Sequence, residues 1–300
     1  MKFLATAATA LFAVLSPMSI SASEPIAEHV ILIGLDGWGA YSYDKADMPN
    51  IKNMAKDGCY TLKKRSVLPS SSAVNWASMY MGAGPELHGY TEWGSRVPEL
   101  PSRIVDEDGI FPTMFGLLRQ QHPEAVIGNI AEWDGIRYVC DTLALNLDQI
   151  ISEKPLNQST TAAACDYIKS AKPTLLNIVY DEPDHVGHGA GHDTPQYYAK
   201  LHELDSCVAE IVQATKDAGI YDNSIIIVTA DHGGIGKGHG GKTMQEMETP
   251  FIILGKGVRK GGNEIPESMM QFDIAPTIAH IFGLETPQVW IGRPVLSVFK

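Results

Sequence analysis

Apolar residues in this chain come in short unbroken runs, and three of the runs end on acids or imidazoles. Ile225-Ile226-Ile227-Val228-Thr229-Ala230 is followed at once by Asp231-His232-Gly233-Gly234. A β-branched run of that length predicts a strand buried on both faces. Val30-Ile31-Leu32-Ile33-Gly34-Leu35 runs into Asp36 in the same way. Leu175-Leu176-Asn177-Ile178-Val179-Tyr180 runs into Asp181, Asp184, His185 and His188. Open α/β sheets hold their ligands beyond the carboxyl ends of the strands. Three such endings therefore predict one shared site along one edge of a sheet.

Helical spacing fills the intervals. Met48-Pro49-Asn50 opens a helix through about Lys56, closed by Asp57-Gly58, and a strand-like stretch covers 60–67. A helix is predicted over 77–81, stopped by Gly82-Ala83-Gly84-Pro85, with others over 113–121 and 157–171 and a short strand over 125–129. Thr194-Pro195 is an N-cap and N1 pair for a helix with Leu201, Leu204, Val208, Ile211 and Val212 on one face. A further strand at 250–255 and a closing helix over 272–280 complete the pattern. Strands alternating with helices predict a three-layer α/β/α sandwich around a mostly parallel sheet. Residues 86–110, rich in Gly, Pro and charge, predict a surface excursion over the sheet edge. No repeat, low-complexity segment or linker divides residues 23–300, which read as a single domain.

Composition narrows the function. The chain of 300 residues is 44% hydrophobic, with 23 basic against 35 acidic residues, a net charge of −12. An acidic chain without a basic cluster argues against nucleic-acid binding. Met1-Lys2, an apolar run over 3–15 and the small residues Ser19-Ile20-Ser21-Ala22 predict a signal peptide over 1–22. The run before Pro17 is too short for a membrane anchor. The expectation is a secreted or periplasmic protein with no membrane span after signal removal; no motif bears on its oligomeric state. Cys59, Cys140, Cys165 and Cys207 are compatible with export and allow three disulfide pairings. None forms a Cys-x-x-Cys pair, so a structural role is expected.

One motif is a decoy. Gly236-Lys237-Gly238-His239-Gly240-Gly241-Lys242-Thr243 matches the phosphate-loop pattern. That pattern needs a helix beginning at the Lys-Thr, whereas only a short stretch remains before Pro250. The glycines are better read as letting the chain turn so that His239 points back toward the strand ends.

Taken together the chain resembles the alkaline phosphatase superfamily, most closely its type I phosphodiesterase/nucleotide pyrophosphatase branch. The resemblance rests on Leu35-Asp36-Gly37, Met48-Pro49-Asn50, Ser72-Ala73-Val74-Asn75, Pro85-Glu86-Leu87-His88-Gly89, Glu182-Pro183-Asp184 with Gly187-His188, Ala230-Asp231-His232-Gly233, and Asp273-Ile274-Ala275-Pro276-Thr277 with Gly292-Arg293-Pro294. These pieces span nearly the whole mature chain in order. The resemblance implies two zinc ions, one held by Asp36, Asp231, His232 and the nucleophile Ser72, the other by Asp184, His188 and His239. Mixed carboxylate and imidazole ligands suit zinc. Two dications against three aspartates and a Ser72 alkoxide leave a near-neutral centre that a phosphate ester can approach.

The implied reaction is in-line attack by metal-activated Ser72 on the phosphorus of a small-molecule phosphoester, through a phosphoseryl intermediate. Asn75 is expected to hold a non-bridging oxygen, and Trp76 to contact substrate. Ser72 is preferred over Ser70 and Ser71 because it lies three residues before Asn75, the spacing of the family the chain resembles. Phosphomonoesterase, phosphonate hydrolase and phosphoethanolamine-type transferase are alternatives on the same core; a fold without turnover is the alternative of another class. A sulfatase is disfavoured, because residues 70–76 lack the Pro and Arg of the formylglycine motif. His280 is an alternative to His239 as a ligand. His88, His185 and His192 are expected near the site, and Trp38, Trp76, Trp93 and Trp133 either pack the interior or line an aromatic slot.

Overall fold

The computed structural model describes residues 24–300, so the predicted signal peptide lies outside the described residues. Eight strands form one sheet: β1 (His29–Leu35), β2 (Cys59–Arg65), β3 (Ile127–Ala131), β4 (Leu147–Ile150), β5 (Leu175–Tyr180), β6 (Ser224–Thr229), β7 (Glu248–Gly255) and β8 (Asn263–Glu264). Their order across the sheet is β4-β3-β5-β1-β6-β7-β2-β8. β7 is antiparallel to both β6 and β2, while the other neighbouring pairs are parallel. Every strand except β7 therefore points the same way.

The layers follow from strand alternation. Val30 and Leu32 of β1 face one core, with Ile225 and Ile227 of β6. Ile31, Ile33 and Leu35 face the other, with Ile226 and Val228. Burying each such side chain contributes about 1.5–3 kcal/mol, so the central strands are held from both sides. Helices α1 (Pro49–Asp57), α2 (Ser72–Met81), α3 (Pro85–His88), α4 (Met114–Gln121), α5 (Leu156–Ala171), α6 (Asp184–Ala190), α7 (Pro195–Asp217), α8 (Met244–Met247) and α9 (Ile274–Phe282) supply the outer layers. The first core takes residues from α2, α4 and α9, the second from α1, α5 and α7. The expected α/β/α sandwich is the observed one.

Some boundaries differ from expectation. The helix expected at 77–81 begins at Ser72, and all ten of its residues are buried. With core on every side it has no polar face for the sequence to reveal. The strand expected at 125–129 starts at Ile127, because the amide of Ala125 closes a turn onto the carbonyl of His122. β4 and α6 went unpredicted; the first is a half-buried edge strand and the second a helix of 7 residues. The four cysteines are all free thiols, and Cys59, Cys140 and Cys207 are buried. Among the described residues no helix is long and apolar enough to cross a membrane.

Candidate active site

Parallel pairing of β5, β1 and β6 brings their carboxyl ends level: Leu35 lies beside Tyr180, and Gly34 beside Thr229. Asp36, Asp184 and Asp231-His232 follow immediately and meet. Asp36, Asp231 and His232 place ligand atoms within 4.8 Å of one another, and so do Asp184, His232 and His239. The Nε2 of His188, one turn along α6 from Asp184, lies 3.0 Å from Oδ2 of that carboxylate. His239 Nε2 lies 3.6 Å from the same oxygen. The long Gly-rich loop after β6 thus does return His239 to the strand ends.

The imidazoles share an orientation. His188 gives its Nδ1–H to the Lys237 carbonyl, His192 to Gly236, His232 to Gly233 and His239 to Ser70. A carbonyl only accepts, so Nδ1 carries a proton in each, and in the neutral ring Nε2 is the atom with the lone pair. In every case Nε2 is the nitrogen that faces the carboxylates. The carboxylates are arranged likewise. Oδ2 of Asp36 accepts the indole N–H of Trp76 at 3.0 Å, and Oδ1 of Asp231 accepts the Gly37 amide at 3.1 Å. Their other oxygens, Asp36 Oδ1 and Asp231 Oδ2, are buried without a hydrogen-bond partner and face His232 Nε2 at 3.5 and 3.2 Å. Lone pairs of oxygen and nitrogen converging on one point need a cation between them.

Glycine makes the close approach feasible. Gly37 adopts φ +70, and a Cβ there would lie 2.6 Å from the Cβ of Asp184. Only a residue without a side chain lets β1 turn away while leaving Asp184 room.

Charge tells the same story. Burial, then the charges of Asp231, Asp184 and Asp181, push Asp36 well above the usual carboxylate range. Burial also raises Asp231 to about 7, against the opposing Gly37 hydrogen bond. Burial would raise Asp184 too, but hydrogen bonds from His188 and His192 hold it below its ordinary value. The hydrogen bond to Asp184 in turn raises His188 to about 9. Burial, with the charge of His232, lowers His239 to about 4. Protons here do the work of cations, and a divalent ion would displace them. The nitrogen and oxygen donors fit zinc or a similar borderline metal.

Three consecutive serines lie beside this cluster and differ in what they face. Ser70 donates its hydroxyl to the Gly241 carbonyl, and the Ser71 hydroxyl is buried without a partner. Ser72, the first residue of α2, places Oγ 3.1 Å from Nε2 of His232.

Two expected substrate contacts are not met. Asn75 is fully buried; its Oδ1 accepts from the Val67 amide, and its Nδ2 donates to the carbonyls of Val67, Pro69 and Ser71. Every polar atom of that side chain is spent on tying down the loop before Ser72, so none is available to a phosphate oxygen. Trp76 is likewise fully buried, behind Asp36 rather than in front of the site. Trp38 is also buried, while Trp93 is exposed.

The family model described as type I phosphodiesterase / nucleotide pyrophosphatase matches residues 30–237. The chain belongs to this family. It is 33% identical over 138 residues to GPI ethanolamine phosphate transferase 3 of Schizosaccharomyces pombe, covering 45% of this chain and 14% of that one. It is 24% identical over 228 residues to the bis(5'-adenosyl)-triphosphatase of Mus musculus, covering 71% of this chain and 48% of the relative. The matched region thus spans less than half the length of these curated relatives. Among solved structures, murine ectonucleotide pyrophosphatase/phosphodiesterase 5 in complex with AMP superposes with a TM-score of 0.69 at 15% identity, covering 91% of this chain and 100% of that chain. A 2-O GAG sulfatase superposes with a TM-score of 0.73 at 14% identity, covering 92% and 74%. At such identities these likenesses report the fold.

Other members of the constellation lay outside the expected ligand set. His192, followed by no motif, is buried and places Nε2 3.2 Å from Oδ1 of Asp184, the oxygen turned away from His188 and His239. Glu132, at the end of β3, accepts the Asp181 amide and the Thr160 hydroxyl. Buried Lys64 donates to the Ala230 carbonyl at 2.7 Å and to Gln271. His280 instead packs its ring on Phe299 at 5.3 Å, and His88 is buried against Ser78 beneath the 86–110 excursion. The phosphate-loop match fails for a visible reason. The amides of Gly241 and Thr243 already donate to the carboxylate of Glu246, which caps a helix of only 4 residues.

Proposed function

We propose that the protein is a metal-dependent phosphoric ester hydrolase of phosphodiesterase type, with Ser72 as nucleophile and two zinc ions as cofactors. The supporting observation is the convergence of unpaired carboxylate oxygens and imidazole Nε2 atoms beside the Ser72 hydroxyl. Asp36, Asp231 and His232 would hold one ion, Asp184, His188 and His239 the other. When bound, they supply positive charge that lowers the pKa of a ligated hydroxyl and neutralises phosphate. The chain's own contribution is placement. Ser72 opens the ten-residue α2, whose N-terminal amides favour negative charge on its oxygen and on an arriving phosphate. Asn75 fixes the loop that carries Ser72, and His192 orients Asp184. The Ser72 oxygen bonds to phosphorus as one alcohol leaves, the seryl intermediate keeps the second ester group, and water then releases the phosphate monoester and restores the Ser72 hydroxyl. Residues 1–22 are read as a cleaved signal, so the enzyme acts outside the cytoplasm; N-terminal sequencing of the secreted protein checks that cut.

Purified protein should hydrolyse bis-p-nitrophenyl phosphate and lose that activity to a chelator. Ser72→Ala should lower kcat by on the order of 10⁴-fold or more while metal content, measured by elemental analysis, is retained. Full activity in that variant would overturn the covalent route.

A further inference from the structure

Beside the ligand cluster lies a cavity of about 580 Å³, lined by Pro69, Ser71, Glu92, Trp93, His188 and His239 among others. His188 and His239 are candidate ligands, so this space borders the ligand cluster. Two adjacent residues on its outer wall are unusual for a phosphate pocket. Trp93 is 68% exposed, in a protein whose Trp38 and Trp76 are fully buried. Glu92 is an exposed carboxylate that makes no ion pair among the described residues; the cation nearest in sequence, Arg96, pairs with Asp134 and lies over the Tyr138 ring.

The wall is fixed rather than loose. The Trp93 carbonyl accepts the amide of Ala73, the residue after Ser72, at 3.1 Å. Ser95, itself buried, closes the turn by bonding both the amide and the carbonyl of Glu92. This backbone link ties the turn that carries Glu92 and Trp93 to the residue next to Ser72.

A carboxylate at the mouth of a phosphate site repels the charge the site must admit, unless the substrate also carries a cation. An indole face and a carboxylate together are the usual recognition chemistry for alkylammonium groups. Among the described residues lining the cavity there is no Lys or Arg to accept further phosphates. We infer that Glu92 and Trp93 form a subsite for an alkylammonium group, so that the preferred substrates are zwitterionic amino-alcohol phosphodiesters of the choline or ethanolamine kind. This rests on the phosphodiesterase reading above and adds no bond-making step to it.

The test uses the zinc-loaded full chain and two chromogenic diesters, p-nitrophenylphosphorylcholine and bis-p-nitrophenyl phosphate. The readout is the ratio of their kcat/KM values. The wild type should favour the choline diester, and the ratio should fall about tenfold in Glu92→Gln and in Trp93→Ala, the loss of one carboxylate or one cation–π contact. Glu92→Asp and Trp93→Tyr should keep most of it, which a merely structural role for the turn would not require. Glycerophosphocholine in solution and phosphatidylcholine vesicles then separate the two sources of the group: hydrolysis of either supports the subsite, and hydrolysis of neither overturns it. A ratio unchanged in both loss variants overturns it as well, while leaving the phosphodiesterase reading intact. Failure of the wild type on both chromogenic diesters would sink that reading itself.

Discussion

Trp76 donates its indole N–H to the oxygen of Asp36 that faces away from the cluster, fixing which oxygen remains free. Groups in that position, behind a ligand, set its orientation and basicity, and their loss costs about 10- to 100-fold in metal affinity. Trp76→Phe keeps the ring and removes only the donor. Competition with a chromogenic chelator should show a metal affinity lower by that factor; unchanged affinity would mean the hydrogen bond does not matter. Lys64 makes a different prediction. Burial lowers its amine to about 7, against the raising influence of Asp231 and Asp273. Between pH 7 and the ordinary lysine value the unfolded chain therefore binds more protons than the native one, and stability contributed by this group rises with pH. Below pH 7 the full cost of burying the charge is present. Lys64→Met should flatten that rise, read as the urea midpoint at several pH values from 7 to 10. An unaltered slope would show that the amine is charged in the folded protein. The identity of the acids and imidazoles was legible in the sequence; the direction of their neighbours was not. Spacing placed Asn75 near Ser72, but the helix that begins at Ser72 turns the Asn75 side chain back onto the preceding loop.

Among the elements, α2 is wedged against β1 where Gly34 interrupts a run of large residues. A Cβ at Gly34 would lie 2.2 Å from the Trp76 ring. Gly34→Ala must push the indole outward, an overpacking that costs about 1–3 kcal/mol, and it must also pull the donor from Asp36. Stability in urea and metal affinity should fall together; a variant with native values of both would show that the packing of α2 on β1 does not position the site. The strands could be read from sequence because both their faces are buried, leaving unbroken apolar runs. The first turn of α2 could not, since Ser72 and Asn75 look like loop residues until the surrounding core is known. The loop after β6 was legible only in part. Its glycines signalled a turn, and Thr243 with Glu246 three residues on has the spacing of a capping box, but the sequence did not show that the same carboxylate also takes the Gly241 amide of the phosphate-loop match.

For the molecule as a whole, three central parallel strands end together, and an acidic body with a net charge of −12 carries at that end a cluster of unpaired donors. Burying carboxylates so closely is costly unless something positive joins them, and the surrounding fold is built as though that partner were present. The apolar runs ending on Asp36, Asp181 and Asp231 were enough to mark these strand ends as one site. The cavity beside them was not readable, because residues 86–110 have no periodicity and meet the site at the backbone hydrogen bond from Ala73 to Trp93. The most direct test is a crystal of zinc-loaded protein with anomalous difference maps recorded at the zinc edge. Two peaks are expected, one among Asp36, Asp231 and His232 and one among Asp184, His188 and His239. Well-ordered side chains with no anomalous peak between them would contradict the account.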